Sequence, residues 1–199
     1  LHIAQANRII TVPGILLISG HAQDSNGIRS IRWQLDDGSL GEATITDAKP
    51  DQAAEPVTWE LAVPLPDQTT QYQLIITAED NVGRTTSGQV SILVDNTVPL
   101  VNVLEPSTNF LRLLWQEPSI AVDVLGLSID VDTAVQRVEW RLEDGDYTPA
   151  VPTKEDWSEW QFTATISDKN IRWMEVRAVD VVGNTSEPER LTLDIREVV

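Results

Sequence analysis

Two stretches of this 199-residue chain carry the residue types that a site would need. Residues 177–189 read RAVDVVGNTSEPE and residues 77–89 read TAEDNVGRTTSGQ, so Ala178, Asp180 and Gly183 repeat Ala78, Asp80 and Gly83. A carboxylate beside a glycine turn can act as a general base, as a ligand for a hard cation, or as the acceptor for the turn's own amides. A general base needs company that this chain does not supply. It has two histidines, His2 and His21, no cysteine, no GxSxG or HExxH motif and no phosphate-binding loop. Nothing therefore sets a base beside a nucleophile. The carboxylate pairs Asp36/Asp37 and Glu155/Asp156 fall in polar turn segments and read as solvated charge. The expectation is a non-enzyme in which each glycine supplies a positive φ and each aspartate takes the turn amides.

The elements that must position these turns come as two copies. IRSIRWQLDDG (28–38) matches VQRVEWRLEDG (135–145), aligning Trp33 with Trp140 and Gly38 with Gly145. VTWELAVPL (57–65) matches SEWQFTATI (158–166) at Trp59 and Trp160, and ISGHAQD (18–24) matches VLGLSID (124–130). Apolar residues recur with a period of two, as in Ile31, Trp33, Leu35 and Val138, Trp140, Leu142. That period is a strand with one face on a core. Turn segments such as DDG, PLPDQT, EDGD and SDKN separate the runs, and no stretch has helical periodicity. The expected fold class is all-β: two tandem antiparallel β-sandwiches, residues 1–96 and 97–199, of about seven short strands each.

The pattern W-x-L-x-DG, then W, then A-x-D-x-x-G, followed by VDNTVP, resembles the immunoglobulin-like and fibronectin type III-like repeats of bacterial surface proteins. The segment VDNTVPLVNVLEP (94–106) is similar to the junctions that join such repeats head to tail. RVEWRLEDG with WSEW and VRAVDVVGN also resembles the immunoglobulin-like dimerisation domain of sulfite-oxidase-type enzymes. Two tandem copies with no cysteine ligand reduce that second likeness to a shared fold. The first likeness implies a non-enzymatic, extracellular spacer or adhesion segment of a larger bacterial surface or secreted protein. The alternative is an accessory module of a secreted enzyme, binding carbohydrate or protein.

In a seven-strand sandwich of this kind, the start of the first strand and two strand connections meet at one pole. For the second copy that pole gathers Asp130, Asp132, Asp180, Asn184 and the incoming Asp95 and Asn96. Clustered carboxylates with amide oxygens suit calcium. An interdomain calcium ion held by Asp95, Asp130, Asp132 and Asp180 is the expected cofactor, and no other cofactor is expected. The first copy offers Asp24, Asn26, Asp80 and Asn81, but Arg84 stands where Asn184 stands in the second, and a cation there opposes a metal.

Two further features concern partners. With Met174, Val176 and Ala178 facing inward, Trp173 and Arg177 face outward, and Trp115 and Trp157 lie in loops. An outward aromatic can stack on a sugar or anchor a protein, so Trp173, Trp157 and Trp115 form a candidate ligand surface. Tyr72 on the penultimate strand of the first copy is a candidate tyrosine corner, with Arg172 in its place in the second. The formal net charge of −17 argues against nucleic acid and anionic lipid, both of which need a basic face. No apolar run approaches the roughly 18 residues of a membrane helix. No signal peptide is legible, and a chain beginning at Leu1 reads as a mature or excised segment. The expected partners are neighbouring repeats and a surface ligand, without direct membrane insertion.

Overall fold

The computed structural model describes residues 2–3, 8–47 and 55–197. Every regular element among them is a strand. The chain divides into two compact units, Leu1–Asn96 and Thr97–Val199.

In the first unit, β1 (His2–Ile3), β3 (Gly14–Ala22), β7 (Val57–Leu65) and β6 (Thr44–Ile45) form a four-stranded sheet in the order β1-β3-β7-β6. The second sheet joins β2 (Arg8–Thr11), β9 (Thr85–Val94), β8 (Thr70–Asp80), β4 (Ile28–Leu35) and β5 (Leu40–Glu42) in the order β2-β9-β8-β4-β5. Pairing is antiparallel except where β2 runs parallel to β9. The first strand is thus divided between the two sheets, which alternation of apolar residues does not announce.

The second unit repeats this plan. β10 (Leu100–Glu105), β12 (Ile120–Ile129), β16 (Glu159–Ile166) and β15 (Val151–Pro152) make the four-stranded sheet. β11 (Phe110–Leu114), β18 (Glu189–Arg196), β17 (Trp173–Asp180), β13 (Val135–Leu142) and β14 (Thr148–Pro149) make the five-stranded one, again with one parallel pair, β11 and β18. The ladder between β4 and β8 shifts register between Ile28 and Ser30, and that between β13 and β17 shifts between Val135 and Arg137. Such a bulge sharpens the local twist. The two copies therefore share this irregularity.

Each unit has its own core. Leu74, Ile76 and Ile92 with Trp59 are buried in the first, and Met174, Val176 and Leu193 with Trp160 in the second. The period of two thus places the expected residues inward. Trp59 and Trp160 are the largest fully buried side chains, at 0% exposure each, while Trp33 keeps 6%. Trp140 is only half-buried and stacks on Phe162 at 4.5 Å between ring centroids. The burial of Trp160 depends on the residue opposite: Gly126 pairs with it across β12 and β16, as Gly20 pairs with Trp59. Tyr72 is buried in the first core.

Candidate functional site

The two aspartate–glycine hairpins show how the sequence makes the pole of each unit. In the second, Gly183 adopts φ 100° and its amide reaches the Asp180 carbonyl, closing the turn after β17. Asp180 Oδ1 accepts the amides of Val182 (2.9 Å), Gly183 (2.6 Å) and Asn184 (2.8 Å). Its Oδ2 accepts Asn184 Nδ2 at 2.8 Å. The aspartate is wholly buried, which is tolerable because its charge is answered by donors. The device is the one anticipated from residues 177–189.

Beside it, Asp130 Oδ1 accepts the amides of Asp132 and Thr133 at 3.0 and 2.7 Å, which shapes the loop between β12 and β13. Asp130 Oδ2 is buried and has no hydrogen-bond partner among the described residues. A carboxylate oxygen of Asp130 and one of Asp180 lie within 4.8 Å of each other. Asp132 points elsewhere: its Oδ2 accepts the Thr97 hydroxyl at 2.7 Å. The Thr97 carbonyl is in turn bound by Asn184 Nδ2 at 3.0 Å, so the first residue of the unit is tied to the hairpin. Asp95 follows the last strand of the first unit, where it is fully buried and its amide donates to the Thr11 carbonyl at 2.8 Å.

The equivalent pole of the first unit carries its own cation. Asp80 Oδ1 accepts the amides of Val82 and Arg84, and Oδ2 accepts Arg84 Nε at 2.9 Å. Arg84 also stands 3.9 Å from Asp24. Burial pushes the Asp80 carboxyl up, but the Arg84 amide and guanidinium together with the Val82 amide hold it below the usual carboxylate range. Asn26 completes the cluster by donating to Asp24 Oδ1 at 3.0 Å.

The candidate aromatic residues have separate neighbours. Trp157 packs against the second core and its carbonyl accepts the Ser128 hydroxyl. Trp115 donates from Nε1 to Glu117 at 3.1 Å, and its amide bonds the Arg196 carbonyl. Trp173 does lie on the outward face of β17, opposite Met174, but the Arg190 guanidinium covers its ring at 3.8 Å.

That cover belongs to a ladder that the sequence did not reveal. Glu175 and Glu139 point away from the core and are nevertheless 2% and 8% exposed. Glu175 accepts Arg141 Nε (2.8 Å), the Tyr147 hydroxyl (2.8 Å) and Arg190 Nη2 (3.0 Å). Glu139 accepts Arg177 Nε at 2.7 Å and Arg137 Nε at 3.0 Å. The Tyr147 ring faces the guanidiniums of Arg177 and Arg141 at 3.6 and 4.6 Å. Burial raises both carboxyls, and the surrounding donors outweigh it and lower them. The legible clue was alternation of Arg and Glu on facing strands, Arg141–Glu175–Arg190 in register.

No protein-family model and no curated relative matches the chain. Among solved structures, a Ca2+-stabilised adhesin that helps an Antarctic bacterium reach out and bind ice aligns over the full chain at 16% identity with a TM-score of 0.52. This chain spans about half of that one, 48%. The fibronectin(III)-like modules of Clostridium thermocellum CbhA align over 96% of this chain and 89% of theirs, at 15% identity and TM-score 0.48. A 1.5-MDa bacterial ice-binding adhesin aligns over 96% of this chain and 61% of its own, at 14% identity and TM-score 0.44. Each unit is an immunoglobulin-like β-sandwich. The chain is a tandem pair of repeats of the kind seen in immunoglobulin-like and fibronectin III-like modules, at low sequence identity.

Proposed function

We propose that this chain is a non-enzymatic extracellular segment, a spacer with an adhesive role in a larger bacterial surface or secreted protein. The observation that supports it most is duplication of a whole design. Both repeats spend the carboxylate of the recurrent A-x-D-x-x-G motif, at Asp80 and Asp180, on closing a hairpin. Structures of this fold include an adhesin described as Ca2+-stabilised. Pulling the chain between its ends tests the reading. A spacer gives two force peaks, each releasing about 30 nm, the extended length of roughly a hundred residues less the folded span. Gradual extension without peaks would contradict it.

Calcium at the pole of the second repeat belongs to the same proposal. The donors fit: two oxygens sharing one calcium stand up to about 5 Å apart, and those of Asp130 and Asp180 lie within 4.8 Å. The partnerless, buried Asp130 Oδ2 would gain a ligand there. Asp95 lies two residues upstream of Thr97, which is tied to this pole, and Asp132 holds the Thr97 hydroxyl. Asp95 is proposed as the remaining carboxylate ligand, with Asp132 turned aside to hold the Thr97 hydroxyl. The ion would supply positive charge to a cluster of carboxylates, while these side chains orient one another through the loop amides.

A second reading, an accessory module that contacts carbohydrate or protein, keeps Trp173, Trp157 and Trp115 as candidate contacts. A specific observation favours it elsewhere, in an uncharged strip on the outer face of the first repeat's five-stranded sheet.

A further inference from the structure

The five-stranded sheets of the two repeats differ in how far charge extends over their outward faces. In the second, four arginines, two glutamates, Tyr147 and Trp173 bind one another. In the first, charge is confined to one end, where Glu79 of β8 pairs with Arg29 at 3.3 Å and Arg32 at 3.7 Å, and the rest of β8 and β9 carries amides and hydroxyls. Thr77 Oγ1 and Ser87 Oγ are 2.8 Å apart, Gln89 Nε2 donates to Gln73 Oε1 at 3.0 Å, and Gln71 Nε2 donates to Ser91 Oγ at 3.2 Å. No outward residue of β9, from Thr85 to Leu93, is charged. In a chain of net charge −17, an uncharged strip of this kind stands apart.

Beside the strip, β4 and β5 leave an open hollow of about 460 Å³. Leu40 and Ile75 line it and are 74% and 44% exposed, so apolar surface faces solvent there. Gly41 lies beneath it: a side chain there would begin 2.7 Å from Trp33 Nε1 on the core side of the sheet, so the indole packs against bare backbone. Gln34 and Thr77 supply polar groups to the walls. The charges at the rim balance one another: Arg32 pairs with Glu42 at 3.3 Å and with Glu79 at 3.7 Å, and Glu79 pairs with Arg29 at 3.3 Å.

An apolar floor, a few polar wall groups and no net charge complement a sugar ring, which offers a C–H face and a girdle of hydroxyls. The volume lies within the roughly 300–1,000 Å³ of small-ligand sites. The paired rows run on from Thr77 to Gln71, about 20 Å at 3.4 Å per residue, long enough for several rings in series. A polyanion is disfavoured by the charge of the chain, and the one carboxylate at the hollow is already engaged.

We propose that the outward face of the first repeat's five-stranded sheet binds a neutral polysaccharide, with one sugar ring seated over Leu40 and Ile75. The inference rests on the adhesive and accessory readings above and gives them a face and a ligand class. Trp173 and its arginine cover have no part in it.

Native electrophoresis of the whole chain through gels containing hydroxyethylcellulose, arabinoxylan or galactomannan tests it, with alginate as the charged control. The expected result is retardation by at least one neutral polymer and none by alginate. The Leu40→Ala, Gln34→Ala double variant should weaken that retardation about tenfold, the loss of one apolar contact and one hydrogen bond, with an unchanged circular dichroism spectrum. Arg112→Ala, in the second repeat, should leave it intact, and oligosaccharide of the retarding polymer should shift the Trp33 indole resonance. Failure of all three neutral polymers overturns the proposal, as does retardation abolished by Trp173→Ala and kept by the double variant. Self-association in sedimentation that the double variant removes also overturns it, because a second copy would then be the occupant. Two force peaks without binding would sink this inference and leave the spacer reading standing.

Discussion

Gly126 stands directly opposite Trp160 in the β12–β16 ladder, and the indole occupies the space where a side chain at residue 126 would begin. A Cβ there would meet Trp160 Cζ2 at 2.1 Å and the Asn102 carbonyl at 2.6 Å. The ring cannot move far, since it is wholly buried and lies 6.0 Å from Phe162 in a stacked pair. Gly126→Ala should therefore destabilise the second repeat by about 2–3 kcal/mol through overpacking. Urea unfolding followed by tryptophan fluorescence checks this, and an unchanged midpoint would mean that the ring lies elsewhere.

The tryptophans of the second repeat should rank by burial. Trp160→Ala removes a fully buried ring and should cost about 3–5 kcal/mol. Trp140→Ala, which removes a half-buried ring stacked on Phe162, should cost about 2–3 kcal/mol. Trp173→Ala loses the Arg190 contact and little else, about 1 kcal/mol. Denaturant melts that place Trp173 first would exchange the inward and outward faces, as a one-residue slip does.

Acid should weaken the second repeat through Glu175 and Glu139. Both carboxyls lie below their ordinary value in the folded chain, so the unfolded chain takes up protons first as pH falls. Their contribution is complete above the unfolded value of 4.5 and fades as pH drops through the lower folded values. Glu175→Gln should cost about 3 kcal/mol at neutral pH by leaving Arg141, Arg190 and Tyr147 with a poorer acceptor. Its melting temperature should converge on that of the parent chain as pH falls below the unfolded value of 4.5 and through the lowered folded one. A constant gap across that range would show that the ladder contributes no titrating stability.

Calcium should act on one pole and not the other. Free calcium at about 100 times the dissociation constant should add about 2.7 kcal/mol to a repeat that binds it when folded. Calorimetry with calcium and with chelator should show this shift in the parent chain and its loss in Asp130→Asn. The first repeat should not respond, because Arg84 already supplies a cation at 2.9 Å to Asp80. No shift in the parent chain, or the same shift in Asp130→Asn, would remove the ion from the account.

The strands, the inward faces and the aspartate hairpins were legible because each rests on a local signal: a period of two, a glycine with positive φ, an acceptor beside free amides. The half-buried state of Trp140 was not legible, because burial depends on what the facing strand presents. Gly20 and Gly126 did recur with the repeat, but their purpose emerges only when register sets them against Trp59 and Trp160. Glu139 and Glu175 look like solvent-facing residues in a strand that alternates. They are buried by long arginine side chains from neighbouring strands, whose stems cover surface that alternation assigns to water. The split of the first strand into β1 and β2, and of its counterpart into β10 and β11, depends on pairing partners far along the chain.

The central claim is that each repeat is a self-contained module with its own core, and residues 97–199 expressed alone test it most directly. The account predicts a β-sheet circular dichroism spectrum, a single cooperative urea transition, and loss of about 3–5 kcal/mol of stability in Trp160→Ala. A fragment that is unfolded in the absence of urea, or that melts without cooperativity, would contradict it.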